Sequence, residues 1–207
     1  MIAEKIHLVF IDSLIFIKIK GDELVQPEVT LICSTYNHEK YIAQAIESFV
    51  NQKTTFKYEV VIHDDCSTDK TVDIIKRYAE KYPNLIRPIY EEENQYSKGK
   101  KISLEIVSPT IQSKYMCFCE GDDYLVSEEK LQKQYDYMES HPECTLCSHS
   151  IKNVDIYGND VSVRVGLEGD YNIVDILDEK EYILILTIIV AITNDIDRAQ
   201  ASAAASS

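Results

Sequence analysis

Val29-Thr30-Leu31-Ile32-Cys33-Ser34-Thr35-Tyr36-Asn37 runs directly into a segment where Tyr41, Ile42, Ala45, Ile46 and Phe49 recur at helical spacing. The first five residues form a short, nearly continuous apolar run, the pattern of a strand buried on both faces. A polar turn at 34–37 ends it. The apolar residues that follow fall on one stripe of a helix from about residue 38 to 49. Asn37 suits the helix cap, and Glu39 complements the positive helix end.

The same strand–loop–helix unit then repeats. Val60-Val61-Ile62-His63 reads as a second buried strand, and Asp64-Asp65-Cys66-Ser67-Thr68-Asp69 as its exit loop. A helix follows over about 70–81, with Ile74, Ile75, Tyr78 and Tyr82 on its apolar side and Pro83 stopping it. Residues 85–90 make a third strand, which Pro88 demotes to an edge or irregular position. A helix at about 101–112 is disturbed by Pro109. Tyr115-Met116-Cys117-Phe118-Cys119 is the fourth strand, and a helix over 128–139 is capped by Ser127. Strands alternating with helices predict an α/β fold, a Rossmann-like, mostly parallel sheet flanked by helices. Ligands of such sheets bind beyond the carboxyl ends of the strands. The loops at 34–37, 64–69 and 120–123 all leave from that edge.

The 207 residues predict one main domain, and 45% hydrophobic with 27% charged residues is enough for a core. A formal net charge of −14 argues against nucleic acid as a general partner, which needs a basic face. Six cysteines, mostly in or beside apolar runs, read as small buried hydrophobes. The Cys117/Cys119 and Cys144/Cys147 pairs lack the repeated two-residue spacing of a zinc site. No apolar run reaches the ~18 residues of a membrane span, and the run from 182 to 192 reads as a buried strand or helix. The N-terminus shows no cleavable signal. The expected setting is cytoplasmic, including the inner face of a membrane as a peripheral protein.

Glu120-Gly121-Asp122-Asp123 places three carboxylates in four positions at a strand end. Such groups repel each other and lose solvation unless a cation sits among them. A hard divalent ion with oxygen ligands is the natural occupant, and it commonly bridges to phosphate oxygens. A solvated acidic turn is the plain alternative. Thr35 and Tyr36 add a hydroxyl and an aromatic face at the first strand end, and Asp65 adds an acceptor at the second. Singly, Tyr36 reads as packing and Asp65 as a helix cap. Together, an aromatic plate, a carboxylate and a metal site suit a base, its ribose and a diphosphate.

Three motifs carry a family resemblance. Residues 30–42 resemble the opening motif of glycosyltransferase family 2. Asp64-Asp65-Cys66-Ser67-Thr68-Asp69-Lys70-Thr71 is similar to its second motif. Glu120-Gly121-Asp122-Asp123 resembles its metal-binding Asp-X-Asp motif, with Glu in first place. The resemblance covers about 28–150 and implies a GT-A fold that binds a nucleotide sugar and transfers it with inversion. It implies that Tyr36 lines the nucleobase pocket and that Thr35 contacts the nucleotide. Asp65 would accept a hydrogen bond from the base, usually uracil, and Glu120 would sit near the ribose. Asp122 and Asp123 would hold Mg²⁺ or Mn²⁺ on the diphosphate. The implied partners are a UDP-linked sugar donor and a saccharide or lipid-linked acceptor, in building surface polysaccharide.

Outside 28–150 the reading divides the chain into an N-terminal extension (1–27), a partial acceptor-side region (151–198) and a low-complexity tail (199–207). Phe16-Ile17-Lys18-Ile19-Lys20 alternates as an edge strand. Family members carry a general base downstream of the metal motif. Here Asp170, Asp175 and Asp178 are candidates by residue type only, and the catalytic residue stays unassigned. The alternative function is a nucleotide-sugar-binding fragment without a complete acceptor site. A nucleotidyltransferase is a further possibility. It lacks support because no glycine-rich, basic phosphate loop follows the first strand; Lys98, Lys100 and Lys101 beside Gly99 read as a solvated basic loop.

Overall fold

The structure, a computed structural model, describes residues 7–11, 14–18, 26–142, 146–147, 151–155, 160–164 and 189–191. Near the N-terminus, β1 (His7–Ile11) and β2 (Leu14–Lys18) pair antiparallel. The main body follows the expected alternation: β3 (Val29–Thr35), α1 (Ile42–Val50), β4 (Tyr58–Asp64), α2 (Thr71–Lys81) and β5 (Ile86–Tyr90). After β6 (Tyr115–Phe118) and α3 (Lys130–Ser140) come β7 (Leu146–Cys147), β8 (Ile151–Val154), β9 (Asp160–Arg164) and β10 (Ile189–Ala191). The six-stranded sheet has the order β5-β4-β3-β6-β10-β7. Its first four strands are parallel, and β10 runs antiparallel between β6 and β7. β8 and β9 form a separate antiparallel pair.

Side-chain parity along the central strands explains their continuous apolar runs. Leu31, Cys33, Val60 and Ile62 pack with Ile42, Ile46 and Phe49 of α1, Ile75 of α2 and Leu131 of α3. Ile32 and Val61 face the other way and pack with Ile102 and Val107. Each strand is therefore sealed on both faces, as parallel strands in layered folds are. Pro88 lies in β5, the edge strand, where its missing N–H breaks no interior ladder.

Three local readings change. The helix expected at 101–112 is a π-helical turn (Ile102–Val107) followed by a short 3₁₀ turn (Ser108–Thr110) carrying Pro109. α1 starts at Ile42, and Asn37 does not cap it: Asn37 has φ +57°, in the left-handed region that Asn tolerates. Ser127 also stands before its helix, where its hydroxyl accepts the N–H of Glu129. Of the apolar run at 182–192, the described part is the strand β10. No helix among the described residues is long and apolar enough to cross a membrane. Cys144, Asp170, Asp175, Asp178 and the tail at 199–207 lie outside the described residues.

Candidate functional site

Parallel register brings the three loops to one rim. β3 and β4 stay paired up to Thr35 opposite Asp64, and β3 and β6 up to Ile32 opposite Phe118. The ladder continues past the strand ends: Cys119 N–H donates to Ile32 O, Gly121 N–H to Ser34 O and Asp65 N–H to Thr35 O, each at 3.0 Å. The first loop is thus flanked by the second on one side and by the acidic motif on the other.

The first two loops are tied by reciprocal hydrogen bonds. Asn37 N–H donates to Ser67 Oγ and Thr68 N–H to Asn37 Oδ1, both at 2.8 Å. Glu39 N–H donates to Asp69 Oδ2 and Lys70 N–H to Glu39 Oε2, both at 3.0 Å. Glu39 therefore serves the start of α2, not of its own helix. Asp69 Oδ1 accepts the Thr71 N–H, so Asp69 is the carboxylate nearest the role of cap for α2.

Asp65 is buried, and both its oxygens accept main-chain donors: Gln95 N–H at 2.7 Å and Tyr96 N–H at 3.0 Å. Asn94 adds a bond from its side-chain amide to Asp65 O. These contacts tie the start of the segment 94–104 to the rim. Between that segment and the first and third loops lies a cleft of about 680 Å³, lined among others by Ser34, Tyr96, Lys100, Lys101, Ser103 and Glu120. Lys98 is paired with Glu93, and Lys100 with Glu105 at 3.2 Å. The basic loop is therefore partly neutralised, yet it borders the cleft.

The acidic motif is strained electrostatically. Partial burial, with repulsion from Asp122 and Asp123, pushes the Glu120 carboxyl up to about 7. Asp123 is also pushed up, by desolvation first and by Asp122 second, with His38 opposing. Burial foremost, then Cys119 and the three acids, drives the Cys33 thiol far above its ordinary value. Gly121 admits no side chain, since a β-carbon would stand 2.7 Å from Thr35 Oγ1 and 3.0 Å from His38 Nδ1. Among the described residues, no three His, Cys, Asp or Glu side chains gather closely enough to hold a metal by themselves.

The expected residues thus share one rim. Thr35 is buried, with an unpartnered Oγ1; Tyr36 offers an exposed ring; the Asp65 carboxylate is engaged by the 94–104 segment; Glu120 lines the cleft; and Asp122 and Asp123 follow it in the same loop, Asp122 Oδ1 lying 4.0 Å from His38 Nδ1. Sequence reading passes over Ser34, Ser103 and His38. Ser34 Oγ and Ser103 Oγ lie 3.2 Å apart across the cleft floor. Their spacing along the chain carries no signal of this contact, which arises only when the π-helical turn packs on β3.

The profile described as "Glycosyl transferase family 2" matches residues 30–190. The chain belongs to glycosyltransferase family 2. Its mostly parallel sheet, flanked by helices, is the GT-A fold. Among the family's relatives, the uncharacterized protein Rv1520 of Mycobacterium tuberculosis is 40% identical over 124 residues, which is 60% of this chain and 35% of that protein. Poly(ribitol-phosphate) β-N-acetylglucosaminyltransferase TarS of Staphylococcus aureus is 30% identical over 115 residues, 54% of this chain and 19% of that one. A TarS 1–349 structure in complex with UDP-GlcNAc superposes with a TM-score of 0.58 at 25% identity, covering 83% of this chain and 47% of that one. A mannosyltransferase from Pyrobaculum calidifontis, in complex with GDP-Man and Mn²⁺, gives 0.53 at 24% identity over 64% and 37% of the two chains. This family 2 chain spans 35% of the length of its Rv1520 relative.

Proposed function

We propose that the chain carries the donor half of an inverting glycosyltransferase, which moves a sugar from a UDP-sugar to an acceptor hydroxyl during surface polysaccharide assembly. The acceptor is a saccharide or a lipid-linked saccharide. Residues 28–150 bind the donor, and 151–198 belong to the acceptor side. The meeting of the Thr35 loop with the acidic motif at the carboxyl rim, where Gly121 packs on Thr35 and Glu120 lines the cleft, carries this reading. The UDP-GlcNAc bound by TarS supports it.

The donor set fits a divalent ion. Mg²⁺ is ordinarily held by one or two carboxylates with the rest of its shell from phosphate and water, so a three-residue cage is not required. Unneutralised repulsion within the acidic motif and the unpartnered Thr35 hydroxyl point the same way. Asp122 and Asp123 would hold the Mg²⁺ or Mn²⁺. When bound, the ion supplies Lewis-acid stabilisation of the negative charge that builds on the departing diphosphate.

The chain's own residues do the rest. Tyr36 presents its exposed ring to the base, and a base stacked on an aromatic side chain contributes about 1–3 kcal/mol. Asp65 offers its remaining lone pairs to the uracil N–H while anchoring the cleft wall. Glu120 meets the ribose hydroxyls, and Thr35 the nucleotide. Inversion requires a separate base to take the acceptor proton.

Calorimetry with UDP tests the reading. UDP is expected to bind with Mn²⁺ and to lose most of its affinity without it. Asp122→Ala with Asp123→Ala should abolish the metal dependence. UDP binding that ignores metal and survives the double substitution would reject the proposal.

A further inference from the structure

The acidic motif faces a side chain from another loop. His38 Nδ1 lies 4.0 Å from Asp122 Oδ1. That nitrogen is buried and has no hydrogen-bond partner, and the same holds for Thr35 Oγ1. Both atoms crowd Gly121, within 3.0 Å of where its β-carbon would be. Leaving a buried donor or acceptor unpaired costs about 1–3 kcal/mol. Two such atoms beside the acidic motif each have bonding capacity left for a polar partner.

The backbone at His38 is fixed from both sides. Its carbonyl accepts the N–H groups of Tyr41 and Ile42 at 2.9 Å, starting α1. Its neighbours Asn37 and Glu39 are each bonded twice to the second loop. The backbone that carries the ring is therefore held in place. The Asp122 side chain is 47% exposed and has room to turn. A rotation that shortens the 4.0 Å separation to ~2.9 Å makes an ordinary N–H···O bond.

We propose that His38 is the positioning residue for Asp122: its Nδ1–H turns this carboxylate toward the rim and holds it there for a divalent cation. The inference rests on Asp122 being a cation ligand. Hydrogen-bonded partners of metal-ligating groups typically change metal affinity ~10–100-fold when removed.

The test measures Mn²⁺ binding to the whole chain in the presence of UDP, by electron paramagnetic resonance, for His38→Ala, His38→Asn and His38→Gln. Melting in EDTA runs beside it. Asn places its amide N–H near the Nδ1 position, and Gln places its own near Nε2. His38→Ala should weaken Mn²⁺ about 10-fold or more, His38→Asn should recover most of the loss, and His38→Gln should not. Melting in EDTA should be the same for wild type, Asn and Gln. Mn²⁺ affinity within about twofold of wild type for His38→Ala overturns the inference, as does equal weakening by Asn and Gln. If His38→Ala fails to fold, the Asn–Gln comparison decides. Loss of Mn²⁺ in Asp122→Ala with Asp123→Ala, but not in His38→Ala, sinks the positioning role alone. Retention of Mn²⁺ in that double variant sinks the reading of the acids beneath it.

Discussion

The α-carbon of Gly121 rests against the Thr35 side chain, so that a β-carbon would stand 2.7 Å from Oγ1 and 2.8 Å from Cβ. Two loops far apart in sequence are pressed together here with no space for a methyl group. Gly121→Ala should therefore destabilise the protein by about 1–3 kcal/mol, the usual cost of overpacking. Thermal melting checks this. An unchanged melting temperature would mean that the rim yields more easily than its geometry indicates.

Asp65→Ala removes the acceptor for two main-chain donors, Gln95 N–H and Tyr96 N–H. Hydrogen bonds to a charged group contribute about 1.5–3 kcal/mol each and do not add fully, so a loss of about 3 kcal/mol is expected. Hydrogen exchange gives a local readout. The amides of 95 and 96 should exchange much faster in the variant, while those of β3 and β4 keep most of their protection. Uniform loss of protection would show that Asp65 supports the whole sheet and not the cleft wall.

Phe49 is fully buried between α1 and the sheet, whereas Val126 is 80% exposed. Phe49→Ala should cost about 3–5 kcal/mol. Val126→Ala should stay within about 0.5 kcal/mol of wild type. Urea denaturation of the two variants distinguishes core from surface. Similar midpoints for both would contradict the packing described for α1.

Tyr58 lies in β4 and donates its hydroxyl to Phe49 O at 2.9 Å. Burial pushes its phenol up to about 12. A folded value above the unfolded one, which is near 10, means that the native state holds the proton more tightly. The associated stability is full below pH ~10 and is lost as pH rises toward ~12. Tyr58→Phe should be less stable near neutral pH through the lost hydrogen bond, and its stability should fall less steeply between pH 10 and 12. Parallel pH profiles for the two proteins would remove Tyr58 from the alkaline transition.

The alternation of buried runs and amphipathic helices was readable because β3, β4 and β6 are sealed on both faces and α1 to α3 on one. The strand ends followed, and with them the grouping of Thr35, Asp65 and Glu120 at one rim. Capping was less readable. Asn37 and Glu39 have the spacing of local caps, but their partners are Ser67, Thr68, Asp69 and Lys70 of the next unit. Local spacing cannot reveal a hydrogen bond that closes across two parallel strands. The π-helical turn at 102–107 escaped for a similar reason. Ile102 and Val107 seal the second face of the sheet, and tertiary packing there overrides the helical spacing. His38 reads as the polar first residue of the helix expected at 38–49 until its closeness to Gly121 is seen.

The two halves of the rim are fastened very differently. Four reciprocal bonds lock the ends of β3 and β4 into one block, while the opposite wall is suspended between its start, where Asp65 holds residues 94–96, and its end, where Ile102 packs on the sheet. Any accommodation to an arriving molecule should accordingly fall on the suspended wall, with the locked block serving as a fixed reference for aligning the reacting groups.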